Sequence, residues 1–217
     1  MGRPRQVTDE QILTATRQVV LERGPQVSLD AVAQELGVTS PALLKRFGNR
    51  QTLLVEALRP NMDQLERLFQ EPIDARPFVD QLDDLLERLS RYFRSMFPCL
   101  MALRESGIPR EEFESMVKLP PHVAAVRSME AWLGGMEERG FIRTDATETV
   151  AMAIVGAIST RTITHHFAAK FRLTRTQREY QRELAELFAS ALGAKPKQKT
   201  RRLPGARRRH QRTRTSS

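Results

Sequence analysis

Residues 28–58 read SLDAVAQELGVTSPALLKRFGNRQTLLVEAL, and in that stretch three helix starts alternate with two glycine stops. Ser28, Thr39 and Asn49 each precede an apolar-periodic run, where a side-chain oxygen can accept from an unpaired first-turn amide. Asp30 is well placed near the positive end of the second helix. Gly37 and Gly48 close the runs between them, since glycine takes the left-handed conformation of a helix end without a Cβ penalty. Pro41 falls at about the second position of a new helix. Its missing N–H would have had no intrahelical partner there, so it starts a helix and does not stop one. Two short helices therefore flank Gly37-Val38, the tight joint of a helix-turn-helix.

The same spacing orients the helices. Thr8-Asp9-Glu10-Gln11 has the form of a capping box, followed by Ile12, Thr16, Val19 and Val20 at helical intervals and a stop at Gly24. Leu29, Val32, Ala33 and Leu36 share one face of the second helix, and Leu43 and Phe47 one face of the third. Leu53, Leu54, Ala57 and Leu58 form the inner face of a fourth. With Leu43 and Phe47 turned inward, the third helix exposes Ser40, Ala42, Leu44, Lys45 and Arg46. A helix of that length fits the major groove of DNA with its N-terminal half facing the base edges. From spacing alone, an ordinary helical pair with an inert surface fits as well. The clustering of hydroxyls with Lys45, Arg46 and Arg50 favours DNA.

Residues 8–58 resemble the DNA-binding domain of the TetR (tetracycline-repressor-like) family. A hydroxyl residue opens the second helix, an alanine-containing apolar face follows, and Gly37-Val38 joins the helices. The Leu43/Phe47 pair then precedes a short turn and a basic residue that opens the fourth helix. The resemblance implies that the third helix reads DNA. Family members usually carry tyrosine where this chain has Leu44, and an aromatic residue or histidine where it has Arg46. Leu44 is suited instead to touching a thymine methyl. On resemblance and charge together, Ser28 is expected to bind phosphate through its hydroxyl and the adjacent amides. Thr39, Ser40, Pro41, Ala42, Leu44 and Lys45 are expected to face the groove, and Arg46 and Arg50 to clamp phosphates. Arg3 and Arg5 form either a short arm toward DNA or a disordered end.

The remainder also reads as helical, so the expected fold class is all-α: an N-terminal three-helix helix-turn-helix domain (1–59) and a C-terminal helical effector-binding and dimerisation domain (60–194). At Pro60 the fourth helix either ends or kinks. Phe78, Leu82, Leu85, Leu86, Leu89 and Phe93 define a long amphipathic helix from about Arg76 to Phe97, with a separate short helix bracketed by Pro98 and Gly107. Pro109 to Glu112 opens another. Val123, Val126, Met129, Leu133 and Met136 mark the next, closed at Gly140. A helix from Asp145 is apolar nearly all round through Ile158 and should lie deep. Tyr180, Leu184, Leu187, Phe188 and Ala191 stripe the last, Arg175–Leu192. In the family this domain binds a small effector and pairs with a second subunit. Leu184, Leu187, Phe188 and Ala191 are candidates for such a homodimer interface, with packing inside one chain as the other reading. Phe97, Met101, Arg104, Met129, Trp132, Met136 and His165 combine apolar and polar groups suited to an effector pocket, although any one of them fits ordinary packing.

Composition narrows the function. The net charge of +9 suggests a nucleic-acid binder, but residues 195–217 hold ten of the 35 Lys and Arg and none of the 26 Asp and Glu. Positions 1–194 thus carry 25 basic and 26 acidic side chains. The tail has too little apolar content to fold alone and reads as disordered. It suits a non-specific DNA tether, a site for RNA or another polyanion, or an inert end. The single cysteine, Cys99, allows neither an internal disulfide nor a cysteine zinc site. The start MGRPRQVTDE lacks a signal-peptide core, and the most apolar run, VAMAIVGAI, is too short to cross a bilayer, which takes ~20 residues. A cytoplasmic protein without membrane contact is expected. No phosphate-binding glycine loop or HExxH motif appears, and adjacent His165 and His166 point about 100° apart on a helix, so they cannot easily share a metal. Neither catalysis nor a cofactor is expected. The chain thus reads as a sequence-specific regulator of transcription, most simply a dimeric repressor released from a palindromic operator by a small molecule. The alternative is an architectural protein that coats nucleic acid through its basic tail.

Overall fold

The computed structural model describes residues 7–109, 111, 119–167 and 173–194, and among these every regular element is a helix. The N-terminal unit consists of α1 (Asp9–Arg23), α2 (Leu29–Leu36), α3 (Ser40–Phe47) and α4 (Arg50–Leu58). The body consists of α5 (Met62–Phe69), α6 (Phe78–Glu105), α7 (Pro121–Glu138), α8 (Thr147–Phe167) and α9 (Gln177–Ala191).

The capping residues explain the N-terminal boundaries. Thr8 and Gln11 form a reciprocal capping box on α1. Ser28, Thr39 and Asn49 accept from the amides of Ala31, Ala42 and Thr52 at the starts of α2, α3 and α4. Ile12, Val19, Val32, Ala33, Leu43, Phe47 and Leu53 make the small core between these helices. Chain direction changes at Gly37, whose φ of 65° and ψ of 30° are left-handed. The amide of Val38 reaches back to the Ala33 carbonyl at 3.0 Å, while that of Gly37 bonds to Gln34, which is the Schellman arrangement. A Cβ added at Gly37 meets nothing within 4 Å. Gly37→Ala should therefore cost only the torsional penalty of a left-handed alanine, about 1 kcal/mol. Chemical denaturation of the full-length variant checks this value, and a loss above about 3 kcal/mol would mean that packing, not backbone conformation, selects glycine.

At Pro60 the first of the two open outcomes holds. α4 stops at Leu58, Arg59 turns extended at φ −55° and ψ 145°, and Asn61 caps the separate α5 through the Gln64 amide. At Pro98 the expectation of a break is corrected: α6 runs without interruption through it to Glu105. Proline removes one helical hydrogen bond and crowds the preceding turn, at about 3 kcal/mol. Met96 and Leu103 on either side are buried, and each contributes about 1.5–3 kcal/mol by leaving water, so continuation wins. α8 continues past Ile158, with Thr162 buried and its hydroxyl donating to the Ile158 carbonyl at 3.1 Å, but the expectation that it lies deep is corrected, since Met152 and Ala153 leave one side of it exposed. The proposed helix opening at Pro109 to Glu112 falls largely outside the described residues.

The body core gathers Phe78, Leu82, Leu86, Leu89, Met129, Leu133, Met136, Ile154 and Ile158 from α6, α7 and α8. α9 buries few apolar side chains and is held on α6 by a polar row. Gln177 donates to Ser90 Oγ at 2.9 Å, and Gln181 donates to the Leu86 carbonyl at 3.3 Å. Arg178 forks onto the Asp83 carboxylate at 2.8 and 2.7 Å, and Arg182 reaches both Asp80 and Asp83 at 3.1 and 3.3 Å. Asp83 is only 3% exposed, so these guanidiniums compensate a carboxylate that would otherwise be costly to desolvate. The row fixes the rotation of α9 and leaves Leu187 facing outward, 63% exposed.

The N-terminal unit and the body meet at a third apolar cluster. Val20, Leu54, Ala57 and Leu58 from α1 and α4 pack on Cys99, Ala102 and Leu103 from the end of α6. Gln26 adds a donor to the Glu105 carbonyl at 3.1 Å.

Candidate nucleic-acid interface

Burial of Leu43 and Phe47 decides which way α3 faces. Pro41, Ala42, Leu44, Lys45 and Arg46 are exposed on its other side, and Ser40 and Arg50 are half-buried at its ends. Every residue expected to face the groove from α3 thus lies on one contiguous outward surface, with Ser28 exposed at the start of α2. No acidic residue lies within α3, and both its cations, Lys45 and Arg46, sit in its last turn, where they also complement the helix dipole.

The polar side chains are more committed than the sequence suggests. Ser40 donates its hydroxyl to Asp30, which ties the start of α3 to the first turn of α2. Thr39 and Ser28 use their oxygens as caps. Arg46 folds back to the Val7 carbonyl and lies 3.4 Å from the Asp9 carboxylate. Arg50 donates to the carbonyls of Pro25 and Val27, stapling α4 to the loop before α2. In this arrangement the two arginines expected at phosphates also brace the fold, Arg50 from a half-buried position and Arg46 from the surface. Lys45 carries its charge outward. Arg3 and Arg5 lie outside the described residues, as does the tail 195–217.

The residues expected at an effector site do not all converge. Met129 and Met136 are fully buried among core side chains. Trp132 packs on Phe78 with ring centroids 5.7 Å apart and borders a separate groove with Phe69 and Ile73. Met101 is half-buried and Arg104 exposed, and neither lines the cavities described next. Phe97 and His165 do meet, at a small recess of about 180 Å³ that also takes Arg94 and His166. Phe97 further borders an apolar cavity of about 360 Å³ between α6, α7 and α8. Phe93, Met96, Leu100, Val126 and Val155 belong to its apolar wall, with Met152 and Ile163 of α8 at its rim. The α6 members recur at i, i+3, i+4 and i+7, a spacing visible in the sequence once the helix is carried through Pro98. Three hydroxyls lie in the wall, Ser159, Thr160 and Thr162, and of these Ser159 and Thr162 donate to carbonyls of their own helix.

The proposed dimer residues fall in different environments. Leu184 is buried in the chain's own core, and Phe188 is half-buried against it. Leu187 and Ala191 face outward, as does Met152 of α8 at 56% exposure.

Residues 12–57, which span α1 to α4, match the family model of the bacterial regulatory proteins of the tetR family. No curated protein matches the chain in sequence. Solved structures share its fold. A protein of Mesorhizobium loti MAFF303099 assigned to the TetR-family transcriptional regulators aligns with a TM-score of 0.67 at 16% identity, over 84% of this chain and 95% of that one. GusR of Salmonella enterica aligns at 0.62 and 17% identity, over 86% and 95%. The fatty acid degradation regulator FadR of Bacillus halodurans aligns at 0.59 and 15% identity, over 89% and 100%. Residues 12–57 thus match the tetR-family model, and over 84% of its length the chain shares the fold of a solved TetR-family transcriptional regulator.

Proposed function

We propose that the chain is a sequence-specific DNA-binding transcription regulator that works as a homodimer. In the same reading it is a repressor released from a palindromic operator by a small effector. The observation that carries this is the outward face of α3, a capped two-turn helix that offers Pro41, Ala42, Leu44 and Lys45 to a groove while Leu43 and Phe47 anchor it. One short recognition helix covers few base pairs, so a two-fold pair reading half-sites roughly 34–36 Å apart supplies the missing contacts. Leu187, Ala191 and Met152 give α8 and α9 an apolar outer surface on which a second copy can pack. The cavity beside Phe97 is within the size range of small-molecule sites, about 300–1,000 Å³. An effector seated there favours one spacing of the recognition helices over the other. To reverse a population strongly it must prefer that state by about 5 kcal/mol.

The test is a selection of genomic fragments with the purified full-length protein, repeated after truncation at Gly193. A recovered palindrome that survives truncation, with a shallower dependence of affinity on salt, supports the reading and leaves the ten tail cations an accessory tether. Loss of all sequence preference on truncation would establish the architectural role in its place.

A further inference from the structure

We propose that the chain reads its DNA site chiefly through thymine C5-methyl groups, contacted by Leu44 with Pro41 one turn before it on the same side of α3. This rests on the DNA-binding reading above and specifies what α3 recognises. The polar side chains around α3 already make contacts within the fold. The Ser40 hydroxyl is directed to Asp30, and Thr39 Oγ1 accepts the Ala42 amide at 3.4 Å. Arg46 is drawn to Val7 and Asp9, and Arg50 to Pro25 and Val27. What the helix shows to a groove is therefore apolar at Pro41, Ala42 and Leu44, with Lys45 as its outward cation. Leu44 is 39% exposed, whereas Leu43 and Phe47 of the same helix are buried.

The major groove offers hydrogen-bonding groups at every base pair and one apolar feature, the thymine methyl. An apolar side chain set against carbonyls or amino groups strips them of water and returns no hydrogen bond, which is unfavourable. Set against a methyl, it removes apolar surface on both sides from water. The α3 surface thus discriminates by rejecting polar base edges and accepting methyls, while Lys45 supplies attraction to phosphate or a purine acceptor. The minor groove has no methyl, so this discrimination belongs to the major groove.

The experiment uses full-length protein and a duplex pool enriched from random sequence by repeated binding. The enriched pool is copied by polymerase twice, once with dTTP and once with dUTP. The second copy keeps each sequence and pairing and lacks only the thymine methyls. Dissociation constants follow by fluorescence anisotropy. The uracil pool should bind about 4-fold more weakly for each methyl covered by Leu44, and about 15-fold for two symmetric half-sites. Leu44→Ala should bind the thymine pool more weakly and lose most of the difference between pools. Equal affinity for both pools overturns the proposal, as does a Leu44→Ala variant as methyl-sensitive as the parent. Failure to enrich any duplex sinks the DNA-binding reading itself and this inference with it.

Discussion

Truncation of Leu43 to alanine should destabilise the N-terminal unit by about 3 kcal/mol, whereas truncation of Leu44 should cost under about 0.5 kcal/mol. The two residues are adjacent and chemically identical, so the contrast isolates their environment. Leu43 is 1% exposed in the cluster with Ile12, Val19, Val32 and Phe47. Its removal leaves a cavity in a core of few members, with little chance of collapse around it. Leu44 points about 100° away around the helix and is 39% exposed, outside that cluster. DNA binding should respond differently. Leu43→Ala weakens it by reducing the folded fraction, an effect that cooling or a stabilising cosolvent recovers. Leu44→Ala weakens it in a protein that remains folded. Urea denaturation followed by circular dichroism, together with anisotropy on the enriched pool, separates the two. Comparable stability losses in both variants would mean that α3 is rotated from the orientation described.

That orientation was legible in the sequence because i, i+4 burial of Leu43 and Phe47 admits few rotations of an eight-residue helix. The caps were legible for a similar reason: Thr8, Ser28, Thr39 and Asn49 act on amides three residues away. Arg46 and Arg50 were harder to read. Their partners, Val7, Pro25 and Val27, are backbone carbonyls 39, 25 and 23 residues distant, and a carbonyl leaves no mark in a sequence. A basic side chain beside a recognition helix reads as a phosphate clamp until the fold supplies it an internal acceptor. Proline misled in one place and informed in two. Pro41 and Pro60 sit where helices begin and end, so local rules decide. Pro98 sits where tertiary burial of the flanking residues outweighs the local penalty. That one misplaced boundary cut Leu100 off from Phe93, Met96 and Phe97, and with it the last member of the cavity wall that α6 supplies. Met129 and Met136 show the converse error: flexible side chains that suit a ligand suit a dense core equally well.

Leu103→Ala should split thermal unfolding into two transitions, with the N-terminal unit melting first. Leu103 is fully buried where α6 ends against Leu54, Ala57 and Leu58, so its truncation should remove about 3 kcal/mol from the contact that couples the two units. The fitting control is Leu89→Ala, equally buried but inside the body core. It should lower the stability of the body by a similar amount without freeing the N-terminal unit from it. Differential scanning calorimetry of the full-length proteins makes the comparison. Two variants that both melt in a single shifted transition would show that the joint does not limit cooperativity. The position of Leu103 is what makes the result bear on regulation. Leu100 lines the apolar cavity, and Leu103 lies three residues further along the same helix, a rise of about 4.5 Å. A ligand that displaces α6 at Phe97 and Leu100 must therefore move the surface on which α1 and α4 rest. α3 packs against α4, so α3 moves with it. If Leu103→Ala uncouples melting, the same substitution should make DNA affinity less sensitive to whatever fills the cavity, because Leu103 is the fully buried member of the α6 surface, with Cys99 and Ala102, on which α1 and α4 rest.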